Sequence, residues 1–322
     1  NYKPEGLMQS YSDRIRYSAF GYLNDGNLLR DGAVLRARQK FIGQNVVVPG
    51  SPDVDNANKE WSPTTGIFIA NPDPSDATAT YDSYNVTVTN SGVMNYLNKV
   101  GETSQSYKTY DPVSELYYAA VRYYKNLGNV TAWTPDPSSS SRTTWVDGFP
   151  VIPTWDDPIQ YACQKNFILG IGDTNSHADK NVSGDGTPTG DEPTKPAEVV
   201  ADTSTQSVEA TNYVGNFQGI ANLGTTNPWT GGNHHNSALM AGLAYHTHTV
   251  DIRPDNTSHA NTIGKQTITT YWLDVLESGA KANNQFYLAA KYGGFTVPSD
   301  YNYASTPTDF WTNDAQKPLW ST

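Results

Sequence analysis

Apolar and polar positions alternate along Arg14–Leu23 with Ile15, Tyr17 and Ala19 on one face, which predicts a strand. Residues 28–42 set Leu29, Val34, Leu35, Phe41 and Ile42 around Arg30, Arg36 and Arg38 and read as a β-hairpin. Residues 45–82 are irregular, and Tyr84–Thr89 predicts another strand. The period then lengthens. From Asp111 to Leu127 the apolar positions Val113, Leu116, Tyr117, Ala120, Tyr124 and Leu127 recur at helical spacing. Asp111 is placed to cap this helix, Pro112 suits its first position, and Gly128 follows its end. The unbroken apolar run Asn166–Gly172 predicts a strand covered on both faces, as in a parallel sheet. A long polar tract fills 174–235. Beyond it lie a helix at Ser237–His246, a strand at Ile268–Leu276 and a helix at Asn284–Tyr292.

This order predicts an α/β fold with an open, mostly parallel sheet and helices on both faces. Ligands of such sheets bind beyond the carboxyl ends of the strands, where Asp173 falls directly after its apolar run.

Composition narrows the function. Charged residues are 16% of the 322, against about 25% in ordinary soluble domains. Tyr (21), Trp (8), Gly (26) and Pro (20) are plentiful, as in exported proteins. A net charge of −11 without a compensating basic run argues against nucleic acid as a partner. No stretch approaches the roughly 20 apolar residues of a transmembrane helix. Starting at Asn1 without a leader, the chain reads as a mature product or an internal fragment.

The five stretches that begin YKPEGLMQSYSDRIRYSAFGYLN (from Tyr2), LLRDGAVLRARQKFIG (from Leu28), TYDPVSELYYAAVRYYKNLGN (from Thr109), WVDGFPVIPTWDDPIQYACQKNFILGIGDTNSHADKN (from Trp145) and YWLDVLESGAKANNQFYLAAKYGGF (from Tyr271) resemble the PilY family of type IV pilus biogenesis factors. The likeness runs from Tyr2 to about Val297. It implies a von Willebrand factor type A-like domain over 1–296, lacking its first strand and motif, with insertions at 28–90 and 174–235. Residues 297–322 would then be a linker toward a C-terminal propeller that this chain does not include. It also implies an exported protein of the pilus tip, outer membrane surface or periplasm that acts in pilus assembly, attachment and twitching motility. Its partners would be minor pilins and a host or abiotic surface.

Type A domains hold a divalent cation through three loops, which the resemblance carries onto this chain in part. Asp173 matches the third element, an Asp after a buried strand, and Asp111 stands where the second usually offers a hydroxyl. Asp136-Pro137-Ser138-Ser139-Ser140 has the letters of the first but no apolar strand before it, and is read as a coincidence. Separately, Asp179, Asn181, Ser183 and Asp185 occupy positions 1, 3, 5 and 7 of a calcium-type loop, with Gly184 at the turn. The closing Glu of such a loop is replaced by Gly190. The expected metal residues are thus Asp111, Asp173, Asp179, Asn181, Ser183 and Asp185, holding Ca2+ or Mg2+; an ordinary cap and polar turns are the competing roles.

Other chemistry finds less support. The histidine pairs His234-His235 and His246-x-His248 lack the converging set that zinc needs. The lone Cys163 is assigned to packing or to pairing with a cysteine elsewhere. Asp156-Asp157 after Trp155 resembles a paired-carboxylate site, but adjacent residues point apart. G-x-S-x-G, H-E-x-x-H and phosphate-loop motifs are absent from the sequence. A non-enzymatic binding and assembly module is the expectation; a secreted carbohydrate-binding protein or glycoside hydrolase is the alternative.

Overall fold

The computed structural model describes residues 6–26, 31–184, 192–226, 236–255, 260–276 and 283–304. They form a mixed α/β structure whose described strands make three two-stranded sheets. The chain divides into two compact units, one of residues 1–28, 33–109 and 131–158, the other of 29–32, 110–130 and 159–322. Elements are numbered along the chain.

The first unit begins with the short helix α1 (Leu7–Ser10), followed by strands β1 (Tyr17–Gly21) and β2 (Val34–Lys40). These strands pair antiparallel, Ala19 facing Ala37 and Gly21 facing Val34. The hairpin expected within 28–42 is therefore a single strand, which finds its partner in the preceding strand. Gly21 is required there, because a Cβ would lie 1.8 Å from the Tyr96 hydroxyl. A small second sheet joins β3 (Asn45–Val46) to β4 (Val54–Asp55).

Two helices follow, the first of them largely within a stretch read as irregular. Helix α2 (Pro74–Tyr84) starts at Asp73, whose carboxylate accepts the Ser75 and Asp76 N–H groups at 3.1 and 3.3 Å, with Pro74 at its first position. Its sequence is polar, so the helical stripe is faint and the cap is the clearer signal. Helix α3 (Val93–Lys99) is capped from afar: Val93 and Met94 donate N–H to the buried Glu60 carboxylate at 2.8 and 2.7 Å. The strand expected at Tyr84–Thr89 is not a ladder strand; Tyr84 ends α2, and Val86 and Val88 are buried from an extended segment. Helix α5 (Arg142–Val146) contributes Val146 to the core that includes Leu23, Val34 and Val151.

In the second unit, helix α4 (Val113–Tyr124) is central. The spacing suggests an amphipathic helix, but Glu115, Tyr118, Ala119, Val121 and Arg122 are buried along with Val113, Tyr117 and Tyr124 of the apolar stripe, while Leu116 and Ala120 are half-buried and Leu127 is exposed. Polar partners make burial on all sides tolerable. The Tyr118 hydroxyl donates to Asp202 at 2.7 Å, and Arg122 donates to the Glu198, Leu127 and Gly128 carbonyls at 3.1, 3.1 and 3.2 Å.

Strands β5 (Asn166–Gly172) and β6 (Ile268–Asp274) pair in parallel over seven residues, from Asn166 opposite Ile268 to Gly172 opposite Asp274. Their crossover carries helices α6 (Ala197–Val200), α7 (Ser207–Gln218) and α8 (Leu239–Thr249). The tract expected to be loop over 174–235 thus contains α7, whose buried Ala210, Thr211, Val214 and Phe217 follow helical spacing. Gly242 lets α8 meet α7 closely, since a Cβ there would lie 2.3 Å from the Thr211 nitrogen. Helix α9 (Gln285–Tyr292) is capped by Asn284, which accepts the Phe286 and Tyr287 N–H groups at 3.0 and 2.9 Å. Phe217, Tyr245, Leu288, Tyr292 and Phe295 pack between α7, α8 and α9.

The parallel pairing of the NFILGIG run agrees with expectation, but its coverage does not. Phe167, Leu169 and Ile171 are exposed, so β5 is covered on one face only.

Candidate functional site

The N-terminus of α4 gathers most of the residues singled out from the sequence. Its first N–H groups lack partners within the helix and carry partial positive charge, so carboxylates collect there. Asp111 does not cap it, however. Its Oδ1 lies 2.6 Å from His177 Nδ1, and the His177 N–H donates to the Asp111 carbonyl at 3.2 Å. The His177 ring also packs against Tyr110, with centroids 4.9 Å apart. Burial raises the Asp111 carboxyl above its ordinary range, the His177 hydrogen bond pulls it back, and the negative charge of Asp173 raises it again. Asp111 thus feels the negative charge of Asp173. Asp173 itself closes a local turn, its Oδ1 accepting the Asn175 N–H at 2.8 Å.

The cap comes instead from Asp179, fully buried, whose Oδ2 accepts the Ser114 N–H at 3.3 Å. The same residue joins α4 to α8. Ser237 donates its hydroxyl to the Asp179 carbonyl at 3.1 Å and lies 3.1 Å from the Ser114 hydroxyl, while Met240 donates N–H to Ser114 Oγ at 3.1 Å. Burial raises the Asp179 carboxyl to about 6, although Ser114 and Ser237 oppose the shift.

Asn181 turns elsewhere. Its N–H donates to Glu115 Oε1 at 2.8 Å, and its side-chain amide donates to Asp31 and to the Pro193 carbonyl. Glu115 accepts a second N–H from Gly32 at 2.5 Å. Burial, then the nearby Asp31 charge, push Glu115 well above the ordinary carboxylate range. Ser183 is tied to the start of α7, its carbonyl accepting the Ser207 N–H at 3.3 Å. Asp185 lies outside the described residues, as do His234 and His235.

Asp179, Asn181 and Ser183 thus bond to three different parts of the unit. Among the described residues no group of three or more His, Cys, Asp or Glu side chains is arranged to hold a metal ion. A hard cation takes about six oxygen ligands. The Asp111–Asp173 pair falls short of that set, with one Asp111 oxygen already taken by His177.

Glu115 and Asp31 were not anticipated as members of this cluster. Glu115 follows Ser114 in the first turn of a helix, and an acidic residue there was the available signal. Asp31 is far from it in sequence, so only tertiary folding could place it.

Other candidates have structural uses. Asp136 accepts the Ser138 N–H at 2.8 Å in an exposed turn, in keeping with a coincidental motif. Asp156 pairs with Arg38 at 3.4 Å. His246 lies 3.2 Å from Thr205 Oγ1, and burial lowers it to about 4. His248 sets its two ring nitrogens 2.9 and 2.7 Å from the Ile268 and Phe295 carbonyls. Cys163 is exposed, which removes the packing role expected for it. No helix among the described residues is long and apolar enough to cross a membrane.

The fold and this cluster define a mixed α/β protein in which the buried carboxylates described above hold helix ends and loops in place. The chain belongs to the PilY1 homolog family: the family model described as "PilY1 homolog, second domain" matches residues 52–239, more than half of it. It is also 46% identical, over 97% of its length, to a Type IV pilus biogenesis factor PilY1 homolog of Xylella fastidiosa (strain Temecula1). The chain spans 27% of that relative's length. No solved structure matches it.

Proposed function

We propose that this chain is a non-enzymatic binding and assembly module of a type IV pilus biogenesis factor, associated with the pilus or cell surface. The observation that carries the reading is the 46% identity to a pilus biogenesis factor, sustained over 97% of this chain. The use of Asp179 and Glu115 as acceptors for backbone N–H groups supports it, because both are committed to holding α4 and its neighbours. In this reading the two units are parts of a type A-like domain with elaborated loops. They contact minor pilins during assembly and a host or abiotic surface during attachment, and so support twitching motility.

The test is a bacterium whose own copy lacks the segment corresponding to residues 1–322. Loss of surface pilin in sheared fractions, together with smaller twitching zones and weaker attachment, is the expected result. Normal piliation and attachment would overturn the reading. Release of sugar from a polysaccharide by the purified chain would replace it with the hydrolase alternative, and glycan binding without turnover would point to a lectin.

A further inference from the structure

In the first unit β2 ends on Lys40, whose side chain reaches the start of α2. Its Nζ contacts Asp73 Oδ2 and lies 3.5 Å from Asp76 Oδ2. The three side chains are largely shut off from solvent, at 18, 8 and 0% exposure. Among the described residues Nζ has no hydrogen-bond partner despite these contacts, so it abuts the Asp73 carboxyl out of hydrogen-bond alignment. The other oxygen of that carboxyl is held firmly. Asp73 Oδ1 accepts the Ser75 and Asp76 N–H groups at 3.1 and 3.3 Å and the Ser75 hydroxyl as well. Donors converging on one oxygen polarise the carbon beside it, as an oxyanion hole does. The exposed pair Lys59–Asp55, an ordinary surface contact at 3.3 Å, has none of this enclosure on its acid, which is 78% exposed.

A lysine acts as a nucleophile only as the neutral amine, which desolvation favours. Burial lowers Lys40 from its ordinary value, against the raising charges of Asp76 and Glu60. Glu60 supplies the complementary group. It is 1% exposed, and burial raises its carboxyl although the Met94 and Val93 N–H groups and the Lys40 charge oppose the shift. An amine disposed to lose a proton thus sits near a carboxyl disposed to hold one. The residue after Asp73 removes a competitor. Pro74 has no N–H, so the Asp73 side chain cannot close onto the following backbone nitrogen as a succinimide.

We propose that Lys40 and Asp73 form an intramolecular isopeptide bond, with Glu60 carrying the proton, which joins the end of β2 covalently to the cap of α2. The ion pair and the amide are successive states of one contact. First a proton moves from Nζ to Asp73 Oδ2, leaving a neutral amine and a carboxylic acid. Nζ then bonds to Cγ, and the Cγ–Oδ2 bond breaks. Oδ2 departs as water, with the proton it already held and a second taken from Nζ through Glu60, which ends as it began. The step balances without oxidant or reductant. It does not depend on the pilus reading, because its product is measured on the chain itself.

Mass spectrometry of the purified chain, unfolded after purification, is expected to read one water less than its sequence. Trypsin should leave residues 39–59 joined to residues 60–99, with no cut after Lys40. The full sequence mass, with Lys40 cut normally, would overturn the proposal. Lys40→Arg and Glu60→Gln should each restore the missing water. A water loss that persists in Lys40→Arg, or that hydroxylamine removes, belongs to a succinimide elsewhere and rejects the bond. A link found at Asp76 rejects Asp73 as the acceptor, and a link retained in Glu60→Gln rejects Glu60 as the proton carrier. The parent mass and peptide map require no variant, so misfolding of either substitution leaves the test of the bond intact.

Discussion

The two units bury acid in different ways. In the first, β2 presents cations to the start of α2: Arg38 and Lys40 pair with Asp76, and Lys40 also pairs with Asp73. Arg36 from the same strand is wholly buried, donating to the Val146 carbonyl at 2.9 Å and to that of Tyr22, with its guanidinium 5.5 Å from the Tyr96 ring. In the second unit Asp179 and Glu115 sit at the N-terminus of α4 and accept backbone N–H groups from Ser114, Gly32 and Asn181. N–H dipoles in a dry site offset burial only in part, so these carboxyls rise. The α4 cluster of the second unit should therefore carry a pH sensitivity that the buried, raised Glu60 of the first unit shares on a smaller scale, while the Arg38–Lys40–Asp76 group should depend on its ion pairs.

Removing one partner of the buried network is the severest way to break this contrast. Asp76→Ala removes the buried acid that Arg38 and Lys40 share, leaving them only Asp156 and Asp73, and should cost about 3 kcal/mol, at the low end of the 3–5 kcal/mol seen when a buried pair is broken. Urea denaturation followed by the Tyr and Trp signals of the first unit would register it, and a change within about 0.5 kcal/mol would show that the pairs are ornamental.

A similar effect is expected from pH in the second unit, with the opposite sign to the usual carboxylate. Asp179 titrates near 6 when folded and near 4 when unfolded, so the folded state binds the proton more tightly. Its contribution is fully present below about pH 4 and is lost as pH rises through about 6, up to roughly 3 kcal/mol. Glu115, raised well above its ordinary value, extends the same trend to higher pH. Asp179→Asn should flatten the lower part of that profile; a variant with the parent's slope between pH 4 and 6 would assign the titration elsewhere.

The cation question comes next in size. Calcium or magnesium at Asp111 and Asp173, or along the loop from Asp179, would raise the melting temperature in metal and lower it in chelator. Elemental analysis of the purified chain and calorimetry on Asp173→Ala and Asp179→Ala check this directly. No bound metal, with identical melts, would leave both positions as parts of the scaffold. Smallest is His177→Ala, which removes a half-buried hydrogen bond to Asp111 and should cost about 1 kcal/mol.

The periodic elements were the most legible. The helix at 111–127 and the strands at 166–172 and 268–276 announced themselves through spacing, and the helix read at 284–292 begins where the structure shows Asn284 capping it. Helix α7 was readable in the positions of Ala210, Thr211, Val214 and Phe217, but Gly, Asn and β-branched residues weakened the signal. Helix α2 hid because its polar face dominates its sequence. Among the site residues, the cap on α4 was assigned to the local Asp111 and is supplied by the distant Asp179.

Sequence by itself determined the family, the parallel strand run and the acidic, low-charge surface, since each depends on residue order or composition alone. Tertiary structure decided which acid caps α4, that Asp31 and Glu115 share one buried site, and that β5 has a bare face. These depend on where the backbone brings N–H groups and neighbouring layers. Local spacing sets which face of a strand or helix is apolar, but only the packed chain determines what covers it.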